Sequence, residues 1–283
     1  MKNIRIIPRL DIKGPNLVKG IHLEGLRVLG RPEDFAKHYY EAGADELIFQ
    51  DVVASLYERN SLHDIISRTA KDIFIPLTVG GGLRTIDDIK LVLRAGADKV
   101  SINTAAVKNP EFIKEASLKF GSSTIVVAIE AIKQANGKYF AFTDNGREYT
   151  GLEVVNWAKQ VEELGAGEII ITSVDKEGTG EGYDIELIKQ VSEAVNIPVI
   201  AHGGASDPEN FKNAITLGAA DALAIASILH YGIAEKLNID KESKGEGNNS
   251  FLKSGKTFGM FNTSDLQKIK YHLSNNNISC RPN

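Results

Sequence analysis

The 283-residue chain is poor in cysteine, tryptophan and methionine: it has only Cys280, Trp157 and two methionines. A lone cysteine excludes an internal disulfide framework and suits a reducing compartment. No run approaches the roughly 18 apolar residues of a membrane span. The opening MKNIRIIPRLDIKG has basic and apolar residues, but Arg9 and Asp11 break any signal-peptide core. There is no basic block, and a formal net charge of −4 gives nucleic acid no electrostatic footprint. The histidines (His22, His38, His63, His202, His230 and His272) lack metal-ligand spacing, so no metal or other cofactor is expected. What remains is a cytoplasmic protein with no nucleic-acid or membrane partner. At 42% hydrophobic and 25% charged, it is able to bury a large core.

What the sequence does have is a repeat. GGLRTIDDIKLVLRAGADKVSINT, from Gly81, returns as GGASDPENFKNAITLGAADALAIAS, from Gly203. Each reads as paired glycines, a helical pattern, a glycine–alanine turn, a short apolar strand and small polar residues. The spacing of 122 recurs between EAGADELIFQDV (from Glu41) and ELGAGEIIITSV (from Glu163). Short apolar runs (IRIIPRLD, ELIFQDVV, IFIPLTVGG, KVSIN, TIVVAIEA, EIIITSVD, IPVIAHGG, ALAIAS) alternate with helical patterns such as TGLEVVNWAKQVEELG. Runs of this kind suit parallel strands buried on both faces. Eight strand–helix units in roughly 230 residues predict an α/β fold, a (β/α)8 barrel made of two repeated half-barrels. The expected organisation is one barrel domain over 1–283, with a polar, glycine-rich connection at about 236–263. Trp157, at core spacing on a helix, reads as packing.

In such a barrel, ligands bind where strands end. VGGG and HGG end strands three and seven, where glycine lets backbone N–H groups approach a ligand. Asn103-Thr104 and Ala226-Ser227 end strands four and eight, each before a helical turn whose N–H groups favour an anion. Two such places on opposite sides of one mouth imply an elongated ligand with a phosphate at each end. Between them lie Asp11 and Glu130, at the ends of strands one and five, a carboxylate pair able to act as general acid and base. Each taken alone could equally cap a loop or pair with a lysine.

The motifs RIIPRLDIK, VKG, GADEL, VGGGLRT, GADKVSINTAA, GAGEIIITSVDKEGT and GYD together resemble the HisF family, the cyclase subunit of imidazole glycerol phosphate synthase. The resemblance covers residues 4 to about 232, and 264–281 looks like the family's closing helix. It implies a HisH-type glutaminase partner whose ammonia crosses the barrel and attacks a bis-phosphorylated ribonucleotide. Ring closure and lyase cleavage then give imidazole glycerol phosphate and an aminoimidazole carboxamide ribotide. It further implies Asp11 and Glu130 as catalytic residues and Lys19 on a mobile loop over the substrate. One phosphate would lie at Gly82, Asn103 and Thr104, the other at Gly178, Gly204, Ala226 and Ser227. Arg5, Glu46, Lys99 and Glu168 would gate ammonia at the barrel floor; a plain salt-bridge layer is the other reading of those four.

Departures from the family pattern are Arg9 for cysteine, His202 for serine, and Glu130 and Glu177 for aspartate. Alternation places Arg5, Ile7, Arg9 and Asp11 on one side of strand one. A buried Arg9 needs a carboxylate, from Asp11, Glu130 or Asp51, and pairing would hinder that group as an acid. His202 is expected to donate to phosphate or to titrate near neutrality. Glu130, one methylene longer than aspartate, must retract or meet a different substrate atom. RLDIKGPNL also resembles a HisF-like branch linked to acetamidino groups on bacterial surface sugars, which keeps the ammonia-conducting barrel for another acceptor. A sugar-phosphate isomerase would share the carboxylates and doubled phosphate sites, but would not need the charged floor.

Overall fold

The computed structural model describes residues 3–54, 62–236 and 263–281. The polar connection at 236–263 therefore lies, apart from its two end residues, outside the described residues. Strands β1 (Arg5–Lys13), β4 (Leu47–Asp51), β5 (Leu77–Gly80), β6 (Lys99–Ile102), β7 (Ile125–Lys133), β10 (Glu168–Ser173), β11 (Val199–His202) and β12 (Ala222–Ile225) pair in that order, all parallel. Pairing of β12 with β1 closes the circle. This is the eight-stranded barrel that the repeat predicts.

Helices α1 (Pro32–Glu41), α2 (His63–Thr69), α3 (Ile86–Ala95), α4 (Thr104–Lys108), α5 (Glu111–Phe120), α6 (Val154–Glu163), α7 (Ile185–Ser192), α8 (Pro208–Thr216) and α9 (Ser227–Lys236) follow the strands, and α10 (Leu266–Asn275) closes the described chain. Their starts are written locally. Thr85 and Asp88 form a reciprocal capping box at α3, and Asp207, 122 positions after Thr85, caps α8. A cap of this kind contributes about 1 kcal/mol. Helix α3 ends at Gly96 in the left-handed region, with φ +118°.

Two cores result. Between strands and helices lies a large apolar shell that includes Phe35, Tyr39, Phe49, Trp157 and Phe211. Inside the barrel lies a smaller cluster of Ile7, Ile48, Val126, Ile170, Ile200, Ala222 and Ala224. The period of two that sends these residues inward sends Arg5, Glu46, Lys99 and Glu168 inward at the floor, and Arg9, Asp11, Glu130, Thr172 and His202 inward toward the mouth.

Where loops were expected after strands one and five, the structure has antiparallel hairpins. Strands β2 (Asn16–Ile21) and β3 (Glu24–Gly30) follow β1, and β8 (Tyr139–Thr143) and β9 (Glu148–Glu153) follow β7. The expected helix at TGLEVVNWAKQVEELG loses its first four residues to β9, because Phe140 pairs with Glu153, and α6 begins at Val154. Lys19 thus stands on a strand, not a loop.

Candidate active site

The ends of the barrel strands nearest α4 and the β8–β9 turn enclose a cavity of about 270 Å³. Its wall includes Gly82, Asn103, Thr104, Glu130, Arg9 and Thr172. Gly81 makes this end possible: at φ +101°, a Cβ there would lie 2.3 Å from the Asp51 carbonyl oxygen. Its repeat mate Gly203, at φ +100°, would place a Cβ 2.7 Å from the Ser173 carbonyl oxygen. The chain thus passes equally close to the neighbouring strand in both halves.

The residues expected to hold the second phosphate are brought together. Glu177, Gly178, His202, Gly204, Ala226 and Ser227 line one pocket, yet its free space is only about 10 Å³, room for about one water. The β2–β3 hairpin lies over it. A Cβ on Gly178 would be 2.5 Å from the Gly20 carbonyl oxygen. His22 N–H donates to the Glu177 carbonyl, and Leu23 N–H to Glu177 Oε2. The hairpins are held crosswise: His22 Nδ1 lies 2.9 Å from the Val174 carbonyl oxygen, while Asn145 donates to the carbonyl of Val52, 122 positions before Val174. Arg147, just past the second tip, reaches Glu24 at the first, 3.3 Å away.

Arg9 finds its carboxylate in Asp11, with Nε 3.0 Å from Oδ1. Lys19 Nζ lies 3.2 Å from Asp11 Oδ2 and also pairs with Glu177. Burial alone would raise the Asp11 carboxyl, but Arg9 and Lys19 outweigh it and hold it well below the usual carboxylate range. Glu130 goes the other way. Its burial pushes the carboxyl up to about 7, against the opposing pull of the Gly146 N–H, 2.8 Å from Oε2, and of Arg9. The Glu130 carboxylate is directed to the tip of the second hairpin, where it accepts from the Gly146 N–H. Titration of His202 near neutrality is not what the structure gives: burial, then the facing Arg9 cation, push the imidazole well below its ordinary value. Its Nδ1 accepts from Arg9 Nη1 at 3.0 Å, which leaves the ring proton on Nε2 as a donor in the pocket that His202 lines.

At the floor, Arg5 Nη1 reaches Glu46 at 2.7 Å and Glu168 at 2.8 Å, and Lys99 Nζ reaches the same two carboxylates at 3.1 and 3.2 Å. The four expected residues are brought together as a closed ring. Sequence reasoning missed Thr172 and Gln50 on the cavity wall, although they are repeat mates at strand ends, and missed Asp144 and Asn145 at the second hairpin tip. Among the described residues there is no group of three or more potential metal ligands, and no helix is long and apolar enough to cross a membrane.

Comparison with known proteins agrees with this geometry. Residues 5–235 match the family described as histidine biosynthesis protein. A protein of Legionella pneumophila is 58% identical over 211 residues, 75% of this chain and 100% of its own length. Relatives from Methanocaldococcus jannaschii (50% over 246 residues, 80% of this chain and 90% of theirs) and Nostoc sp. (48% over 250 residues, 86% and 96%) are similar in the same way. All three are called imidazole glycerol phosphate synthase subunit HisF, and none carries a sugar-modification name. The chain belongs to the histidine biosynthesis protein family, among its HisF subunits.

Proposed function

We propose that this protein is the cyclase subunit of an imidazole glycerol phosphate synthase in the cytoplasm. It would take ammonia from a HisH-type glutaminase and use it on a bis-phosphorylated ribonucleotide in histidine biosynthesis. The observation that carries this reading is the pair of anion places flanking Glu130: Gly82, Asn103 and Thr104 on the open side, and Gly178, Gly204, Ala226 and Ser227 on the covered side. One phosphate docks in the open cavity. The other enters only after the β2–β3 hairpin lifts, since a space of about 10 Å³ holds no phosphate. Glu130, held near 7, is matched to proton exchange at neutral pH during ring closure and cleavage. Asp11, ionised between two cations, is a poor proton donor and supplies fixed negative charge. The floor ring of Arg5, Glu46, Lys99 and Glu168 is the entry for ammonia, which favours this reading over a sugar-phosphate isomerase.

The test supplies purified protein with the bis-phosphorylated ribonucleotide and excess ammonium salt, which bypasses the glutaminase. Formation of imidazole glycerol phosphate together with the carboxamide ribotide is expected. Absence of both products from folded protein, with a nucleotide sugar aminated instead, would replace this reading.

A further inference from the structure

Asp11 and Glu130 do not face the cavity equally. Glu130 and Arg9 form part of its wall, whereas Asp11, only 2% exposed, does not. Both Asp11 oxygens are occupied, Oδ1 by Arg9 and Oδ2 by Lys19. The guanidinium that covers Asp11 is itself fixed along one edge. Its Nε donates to Asp11, and its Nη1 is 3.4 Å from Thr172 Oγ1 and 3.0 Å from His202 Nδ1. Nη2 has no hydrogen bond to any described residue, on a side chain that belongs to the wall of the cavity at Gly82, Asn103 and Thr104.

An arginine that merely filled the barrel would be expected to satisfy all its donors, because buried polar groups are costly when left unpaired. Here a planar, permanently charged fork is held on one side and open on the other, the arrangement suited to grip an oxygen in a fixed direction. A backbone contact secures its base as well: His230, paired on its other nitrogen with Tyr39, lies 2.8 Å from the Arg9 carbonyl oxygen.

We propose that Arg9 is a ligand-contacting residue whose free Nη2 edge donates to a carboxamide or carbonyl oxygen of a ligand seated at Gly82, Asn103 and Thr104. Asp11 is then a positioning residue that acts through Arg9 and exchanges no proton with the ligand. This rests on and deepens the cyclase reading, since one product named there, the carboxamide ribotide, carries a carboxamide.

Calorimetry with two probes tests it: aminoimidazole carboxamide ribotide, and aminoimidazole ribotide, the same molecule without the carboxamide. Wild type should bind the first at least about tenfold tighter, the scale of a hydrogen bond to a charged donor. Arg9→Met should bring the two affinities within about threefold. Arg9→Lys keeps the charge and loses the fork, so it should fold, by circular dichroism, and still lose the preference. Wild type that binds neither probe, or an unchanged preference in both variants, overturns the proposal. The second arm is the pH profile of ammonium-driven turnover. Asp11→Asn should keep the inflection near pH 7 and Glu130→Gln should abolish it; loss of the inflection in Asp11→Asn would restore Asp11 as a proton donor. Binding needs no turnover, so a wild type that binds selectively but converts nothing sinks the cyclase reading and leaves the Arg9 contact standing.

Discussion

Lys19 on the first hairpin and Glu177 beyond β10 are paired inside the protein, 158 positions apart and each about 1% exposed. Together with Asp11 they tie the hairpin across the second anion place. Removing one partner of a buried pair leaves the others uncompensated, at a cost of about 3–5 kcal/mol. The hairpin can relieve that cost by lifting into water. Lys19→Met should therefore accelerate hydrogen exchange of Val18, Leu23 and Val28 at least tenfold, of order 1.4 kcal/mol, while the barrel strands keep their protection. Equal acceleration of hairpin and barrel amides would show that Lys19 supports the whole fold.

Glu130→Gln should lower ammonium-driven turnover by about 100-fold or more, the scale of general acid–base catalysis. It should also alter the pH dependence of stability. The carboxyl is raised from 4.5 to about 7, so the folded protein binds more protons than the unfolded chain between those values. Stability from this group is present below about 4.5 and lost as pH rises through 7, a loss of at most roughly 3 kcal/mol. Urea denaturation at pH 5 and pH 8 should show that loss in wild type, and a smaller one in the variant.

Arg5→Ala leaves Glu46 and Glu168 facing each other with only Lys99 between them. The mouth is untouched, so turnover with ammonium salt should fall less than about threefold, while glutamine-driven turnover with the partner bound should fall at least about tenfold. Equal losses in the two assays would reduce the ring to a salt-bridge layer.

Gly178→Ala tests the contact of the covering hairpin. The residue has φ +73°, and an added Cβ would strike the Gly20 carbonyl oxygen. A left-handed alanine costs roughly 1–2 kcal/mol by itself. The KM for the bis-phosphorylated ribonucleotide should rise several-fold through poorer closure, with kcat changed less. An unchanged KM would separate this loop from substrate binding.

Much of this arrangement was legible in the sequence because it rests on spacing. The repeat of 122 predicts the barrel, both glycine turns and the matching of strand ends, and period two puts Arg9 beside Asp11. The hairpins escaped for local reasons. The first turns on His22 and Leu23, at φ +52° and +61°, residue types that carry no turn signal. The second turns on Asp144-Asn145-Gly146, a sequence suited to positive φ but lying in the connection between a strand and a helix, where a plain loop is the default expectation. Glu177, a partner of Lys19, and Arg9, a partner of His202, lie 158 and 193 positions away along the chain, and only closure of the barrel brings them together. The depth at which Asp11 lies behind Arg9 depends on side-chain direction, which alternation leaves open.

The barrel interior can also be taken as an electrical column. At the floor, Arg5 and Lys99 balance Glu46 and Glu168. At the mouth, Arg9 and Lys19 balance Asp11 and Glu177. Between these two tetrads lies a mostly apolar layer of Ile7, Ile48, Val126, Ile170, Ile200 and the alanines, with the buried hydroxyls of Thr78 and Ser101 beside Ile48 and Val126. An ion leaving either tetrad sheds its water and meets no countercharge in that layer, at a cost of many kcal/mol. A small uncharged solute pays almost none of it. Stacked in this way, the column would favour a base over its conjugate acid, because its middle layer is mostly apolar and the charges at each end cancel rather than attract.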